Sequence, residues 1–279
     1  MTYSNELVRI EKALAAAAEV LKEFTPGAVE ATLKNGGDPV TEADLRVNER
    51  LRTLLPMNGE GWLSEESVDD PNRLKSSLVW IVDPIDGTRE FIAGIPEWCI
   101  SIGLCDKGHA VAGGIYNPAT GETFLGGPGM GLTLNGARAT CSDISHLQHA
   151  VVLASRSEYA RGEWDAFQGE VRSIKPLGSV AYKLALVAVG LADASWTLVP
   201  KNEWDVAAGA ALVLAGGGRV SDFSKDLRFN RPNPLLGGFL GAGQILFDRI
   251  DRFLRSRGDR FEPPPGTPPI PSSGSEWID

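Results

Sequence analysis

Carboxylates recur at four places in this chain, each beside the end of an apolar run or the start of a helical one. They are "DPVTEAD" (Asp38, Asp44), "WLSEES" (Glu65, Glu66), "WIVDPIDGTREF" (Asp83, Asp86) and "NEWDVAAG" (Asp205). Each has an ordinary structural account: Asp44 can cap a helix, Glu65 and Glu66 can lie in a solvated turn, and Asp205 suits the first turn of a helix. Asp83 and Asp86 can be turn formers around Pro84 and Ile85. The third stretch strains that account, because "LVWIV" delivers Asp83 straight out of an apolar strand. An unpaired carboxylate there costs on the order of several kcal/mol of desolvation, and something must compensate it.

No matching Lys or Arg is evident for these carboxylates in the nearby sequence, so the set reads as oxygen ligands for hard divalent cations, above all Mg2+. Two such ions roughly 3.5–4 Å apart can activate a water, clamp a phosphate and stabilise a leaving oxygen. The residues that follow fit this chemistry. If Thr88 opens a short helix, the N–H groups of Gly87 and Thr88 face an anion, and glycine at 87 admits close approach. The Thr88 hydroxyl then holds a water, oriented through Asp44 or Glu65. Two non-catalytic alternatives remain, a phosphate-binding module and a purely structural cation site. The presence of Asp44, Glu65 and Thr88 together favours catalysis over the module.

The elements that must position these groups are legible in outline. Leu7, Ile10, Leu14, Ala18 and Leu21 predict a helix over residues 5–24, ended by Pro26 and Gly27. Thr41 with Asp44 three positions on predicts the start of a second, closed by Pro56. "SLVWIV", "CISIGLC", "AVAGGIY", "ETFLGG" and "LTLNG" then read as strands of an antiparallel sheet. From about Ala150 strands alternate with helices, expected over "EYARGEWDAFQGEV", "SVAYKLALVAVG", "EWDVAAGAALVLAG" and "QILFDRIDRFLRS", which is α/β layering. The expected organisation is an N-terminal α+β subdomain over 1–140 and a C-terminal α/β subdomain over 141–260. Residues 261–279 are too rich in Pro, Gly and Ser to join a packed core and read as an extended or disordered tail.

Composition narrows the function classes. A formal net charge of -9 over 279 residues excludes a general nucleic-acid binder, and it leaves metal ions to supply the positive charge that an anionic substrate needs. Three cysteines without a CxxC pair suit a reducing compartment. The first helix carries Glu6, Arg9, Glu11, Lys12 and Glu19, so it is neither a signal peptide nor a membrane span, and a cytoplasmic protein is expected. "HLQH" (His146, His149) lacks the further ligands of a zinc set. "GGPGMGL" leads into a strand and an Asn-Gly turn rather than a helix. Neither a G-x-S-x-G nor a P-loop motif occurs, which removes the main support for serine hydrolase and P-loop readings.

The blocks "DPVTEAD", "WLSEES", "WIVDPIDGTREF", "GSVAYKLALVAVGLADA" and "EWDVAAGAALVLAGGG", in that order, resemble the inositol monophosphatase superfamily of Mg2+-dependent, lithium-sensitive phosphomonoesterases. The resemblance implies an α/β fold, a layered α/β/α/β/α sandwich of the inositol monophosphatase and fructose-1,6-bisphosphatase type. It implies that Glu65, Asp83 and the Ile85 carbonyl bind one Mg2+, that Asp83, Asp86 and Asp205 bind a second, and that Glu65 helps to hold a weaker third. It further implies that Thr88 and Asp44 position the attacking water, and that Asp86, Gly87, Thr88, Gly178, Ser179 and Asp205 contact phosphate or substrate. "TREF" and "ASRSE" resemble blocks of the CysQ-type 3'(2'),5'-bisphosphate nucleotidases. Leu198 stands seven residues before Asp205, where many inositol phosphatases place a glutamate that binds a ring hydroxyl. The expected substrate is therefore a small phosphorylated metabolite, adenosine 3',5'-bisphosphate first, with inositol 1-phosphate or another sugar phosphate as the alternative. No membrane or nucleic-acid polymer is expected as a partner, and the resemblance is compatible with a monomer or a homodimer.

Overall fold

Alternation along "LVWIV" sends Val79 and Ile81 into one hydrophobic core and Trp80 and Val82 into another, so this strand is buried on both faces. In the computed structural model, which describes residues 2–256 except 35, 36, 58 and 225, it lies second in a seven-stranded sheet. The order is Gly61–Ser64, Leu78–Asp86, Cys99–Asp106, His109–Asn117, Glu122–Gly127, Gly131–Leu134 and Ala137–Arg138. All neighbours pair antiparallel as expected, except that Gly61–Ser64 runs parallel to Leu78–Asp86. The expectation for residues 261–279 lies outside the described residues.

The described α-helices are α1 (Ser4–Leu21), α2 (Glu42–Leu54), α3 (Thr88–Ala93), α4 (Arg156–Ala160), α5 (Val180–Ala188), α6 (Glu203–Ala215) and α7 (Gln244–Ser256). α1 and α2 cover one face of the large sheet through Ile10, Leu14, Val47 and Leu51. α5 and α6 cover the other, with Leu184, Val187, Val206 and Leu212 packed among Ile81, Ile115 and Phe124. α6 is apolar almost all round because a second sheet lies beyond it. That sheet runs Ser173–Leu177, Val151–Ser155, Ala194–Thr197, Phe239–Gly243 and Gly218–Ser221, with the first three parallel and Phe239–Gly243 antiparallel to both its neighbours. α7 closes the far face through Leu246, Phe247, Ile250 and Leu254. The layers are thus α/β/α/β/α. None of the described helices is long and apolar enough to cross a membrane.

Two departures from the sequence reading lie around the second sheet. The helix expected over "EYARGEWDAFQGEV" is the short α4 followed by a 3-10 turn at Asp165–Phe167. Gly162 takes φ +78, and Trp164 and Phe167 turn inward to stack on Trp196 at 4.8 and 5.4 Å. Burying these rings outweighs extending an exposed helix. Ser173–Leu177, which carries Lys175 and Pro176, is a strand that the sequence reading did not include. It lies at the sheet edge, where proline is tolerated.

Candidate active site

In an unbroken strand, positions three apart face opposite sides of the sheet. The pairing of Leu78–Asp86 with Cys99–Asp106 slips by one residue, from Asp83 opposite Ser101 to Asp86 opposite Cys99. This β-bulge returns Asp86 to the side of Asp83. The sequence suggests a turn at Pro84 and Ile85, whereas the chain stays in the strand and bulges. Proline, having no N–H for the ladder, is suited to that point. The Asp83 carboxylate accepts the Ile85 N–H at 3.0 Å.

The side to which both aspartates turn is the one covered by α5 and α6. α6 packs closely on the sheet, since a Cβ at Gly113 would come within 2.5 Å of the Ala208 carbonyl. Its first turn therefore carries Asp205 to the strand end, where Asp205 Oδ2 accepts the Asn202 N–H at 3.1 Å. Carboxylate oxygens of Asp83, Asp86 and Asp205 lie within 4.8 Å of one another. Asp86 Oδ2 also accepts the Ser179 hydroxyl at 2.6 Å and the Ala181 N–H at 2.5 Å, both from the start of α5. Burial pushes the pKa of Asp83 well up, and the charges of Glu65, Asp86 and Asp205 push it further. Asp205 is raised well above the carboxylate range by burial and then by Asp86 and Glu65. Asp86 is raised by burial against the opposing hydrogen bonds from Ser179 and Ala181.

On the other side of the strand end, α2 begins with the capping box read from the sequence. Asp44 Oδ2 accepts the Thr41 N–H at 2.8 Å and the Thr41 hydroxyl at 2.6 Å, which fixes the carboxylate. Its Oδ1 lies 3.2 Å from the Thr88 hydroxyl, which is also 3.0 Å from the Ile85 carbonyl. Burial raises the pKa of Asp44 despite the Thr41 hydrogen bonds. Thr88 opens α3 as expected, and Gly87 before it has φ +97. The glycine has a second reason besides that conformation: a Cβ would lie 2.9 Å from the Glu97 carbonyl and 3.1 Å from Trp98 Cα.

Glu65 lies outside the three-aspartate set and is paired with Lys34. Lys34 Nζ is 2.7 Å from Glu65 and 2.5 Å from Glu66, which corrects the expectation that no basic residue partners these carboxylates. Burial opposes the Lys34 charge, but the two glutamates outweigh it and raise its pKa above the ordinary lysine value. Asp38, in the first acidic block, is exposed and pairs with Arg89 at 3.1 Å. The "TREF" residues divide accordingly: Arg89 is exposed, Phe91 is core against Trp98 at 4.8 Å, and Glu90 packs against Gly178. A Cβ at Gly178 would meet the Glu90 carboxyl carbon at 2.5 Å. Arg156 of "ASRSE" pairs with Glu97, which accepts the Gly178 N–H at 2.8 Å. Sequence reasoning missed Glu97 and the buried Lys183, neither of which stands in an acidic block.

The donor set fits a hard divalent cation. It is all oxygen and convergent, with Asp83 and Asp86 buried and Asp205 half-buried, and its three carboxylates repel one another unless a cation lies among them. Fold and site suit a metal-dependent phosphoric monoester hydrolase. The sequence matches the inositol monophosphatase family over residues 4–249, and the chain belongs to that family. It is 34% identical to an inositol-1-monophosphatase of Mesorhizobium japonicum over 229 residues, which are 77% of this chain and 84% of the relative. An inositol monophosphatase structure from Anabaena (Nostoc) has a TM-score of 0.76 at 26% identity, covering 91% of this chain and 96% of that one. CysQ from Bacteroides thetaiotaomicron has a TM-score of 0.72 at 28% identity, covering 86% and 97%.

Proposed function

We propose that this chain is a Mg2+-dependent, lithium-sensitive phosphomonoesterase that hydrolyses a small phosphorylated metabolite, most of all the 3'-phosphate of adenosine 3',5'-bisphosphate. The observation that carries the reaction class is the convergence of Asp83, Asp86 and Asp205 beside the Thr88–Asp44 pair. In this reading Glu65, Asp83 and the Ile85 carbonyl hold one ion, Asp83, Asp86 and Asp205 hold a second, and Glu65 contributes to a third. Bound there, the metal supplies Lewis acidity, lowering the pKa of water and neutralising the phosphoryl and leaving oxygens.

The chain's own residues orient the reaction. The Thr88 proton is committed to Asp44 or to the Ile85 carbonyl, so the hydroxyl presents its lone pairs to solvent as an acceptor. A water donating to Thr88 is thereby aligned for in-line attack, and no Ser or Cys nucleophile takes part. Asp44 keeps the hydroxyl in that role because its other oxygen is pinned by Thr41. The N–H groups of Gly87 and Thr88, at the start of α3, are the phosphate contacts. The net charge of -9 agrees with a small substrate rather than a nucleic-acid polymer. We place the enzyme in the cytoplasm, as a monomer or a homodimer.

Leu198 weighs against inositol as the substrate. It packs against the cluster that contains Trp196 and Leu240, and an aliphatic side chain cannot accept a bond from an inositol hydroxyl. The name of the Mesorhizobium relative favours the second reading, an inositol-1-monophosphatase. Phosphate release with Mg2+ from adenosine 3',5'-bisphosphate, inositol 1-phosphate and fructose 1,6-bisphosphate separates the two. The highest kcat/KM is expected on the nucleotide; preference for inositol 1-phosphate selects the second reading.

A further inference from the structure

Ser179 occupies a backbone conformation that a residue with a side chain rarely adopts, φ +55 and ψ 124, at the N-cap of α5. Such a conformation costs on the order of 1–3 kcal/mol and persists only where its surroundings hold it. Here they hold it from three directions. The Ser179 hydroxyl donates to Asp86 Oδ2 at 2.6 Å and accepts the Tyr182 N–H at 3.0 Å. The Lys183 ammonium, buried under the turn, donates to the carbonyls of Leu177, Gly178 and Ser179, the last at 2.6 Å. Gly178 is tied through its N–H to Glu97, which Arg156 holds from the start of α4, and it packs on Glu90 too closely for any side chain.

With its one proton given to Asp86, the hydroxyl has none for a phosphate or a substrate hydroxyl. The contact with Cys99 Sγ at 3.4 Å fills its remaining side. We infer that Ser179 is a positioning residue: the strained 177–179 turn, held by Lys183 and Glu97, aims its hydroxyl and the Ala181 N–H at Asp86 Oδ2. Both donors fall on Oδ2, which leaves Asp86 Oδ1 outside these bonds and available to a cation held with Asp83 and Asp205. The inference rests on the reading of Asp86 as a cation ligand. It assigns Ser179 a role other than the substrate contact that the family resemblance implies.

The test is calorimetric titration of the full chain with Mg2+, together with the Mg2+ dependence of phosphate release. It compares wild type, Ser179→Ala, Ser179→Gly and Asp86→Asn. Losing a group that orients a ligand weakens metal binding by about 10-fold to 100-fold. Ser179→Ala and Ser179→Gly are each expected to weaken Mg2+ binding by about 10-fold, with kcat recovered at saturating Mg2+. Glycine relieves the backbone strain, so Ser179→Gly keeps the test available should the alanine variant fold poorly. Equal weakening in the two variants assigns the effect to the hydroxyl. If Asp86→Asn weakens Mg2+ binding while both Ser179 variants bind as wild type, the positioning role is wrong. If Asp86→Asn itself binds as wild type, the reading of Asp86 as a ligand is wrong, and the positioning role goes with it.

Discussion

Lys34 Nζ stands 2.7 Å from Glu65 Oε1, so the glutamate that family resemblance gives to the metals is already paired with a cation of the chain itself. A lysine and a divalent cation compete for the same carboxylate. Lys34→Met is therefore expected to tighten Mg2+ binding by about fivefold, in line with roughly 1 kcal/mol for a partly exposed pair. The same change is expected to raise KM for a phosphorylated substrate, because a positive charge leaves the site. Titration calorimetry and initial rates check the two halves, and unchanged or weaker Mg2+ binding would rule out the competition.

Thr88 and Asp44 form a separate unit, since neither belongs to the three-aspartate set. Thr88→Ala is expected to lower kcat by about 100-fold, the lower end of what a positioned proton acceptor contributes. Mg2+ affinity should be preserved, and Thr88→Ser should retain most of the rate because it keeps the hydroxyl. Asp44→Asn should resemble Thr88→Ala. A Thr88→Ala enzyme with near wild-type kcat would remove the hydroxyl from the mechanism.

Much of this architecture was legible because its causes are local. The capping box of Thr41 and Asp44, the helical spacing of Ile10, Leu14 and Leu21, and the apolar run before Asp83 each stand within a few residues of sequence. The bulge was not legible, because Asp-Pro-Ile-Asp carries turn residues and only the register against Ser101 and Cys99 reveals that the strand continues. Lys34 meets Glu65 across 31 positions, and the Gly178 N–H meets Glu97 across 81, so no local pattern announces either contact. The failed helix after Arg156 has the same origin, since the pull on Trp164 and Phe167 comes from Trp196, on a different strand.

Lys183 gives a prediction about pH. Burial lowers its pKa to about 8, against the opposing charge of Asp86. Below pH 8 the folded and unfolded chains both carry this proton. Between pH 8 and the ordinary lysine value near 10.4 the unfolded chain still holds it and the folded chain has released it. Stability contributed through this group therefore rises with pH across that window. Wild type is expected to gain thermal stability relative to Lys183→Gln between pH 8 and pH 10, as read by paired melting curves. A difference that stays constant across that range would contradict the lowered pKa.

The most direct measurement is phosphate release by Asp83→Asn as a function of Mg2+, alongside its melting temperature. The asparagine side-chain oxygen can still accept the Ile85 N–H, so the bulge should survive, and relief of repulsion with Asp86 and Asp205 should leave Tm unchanged or higher. On the proposed reading, removing the central negative charge takes away a direct ligand. The loss of turnover at low Mg2+ is therefore expected to exceed the roughly 100-fold cost of losing an outer hydrogen-bonding partner. A folded Asp83→Asn protein that keeps near wild-type turnover would contradict the account that these carboxylates hold the catalytic metal.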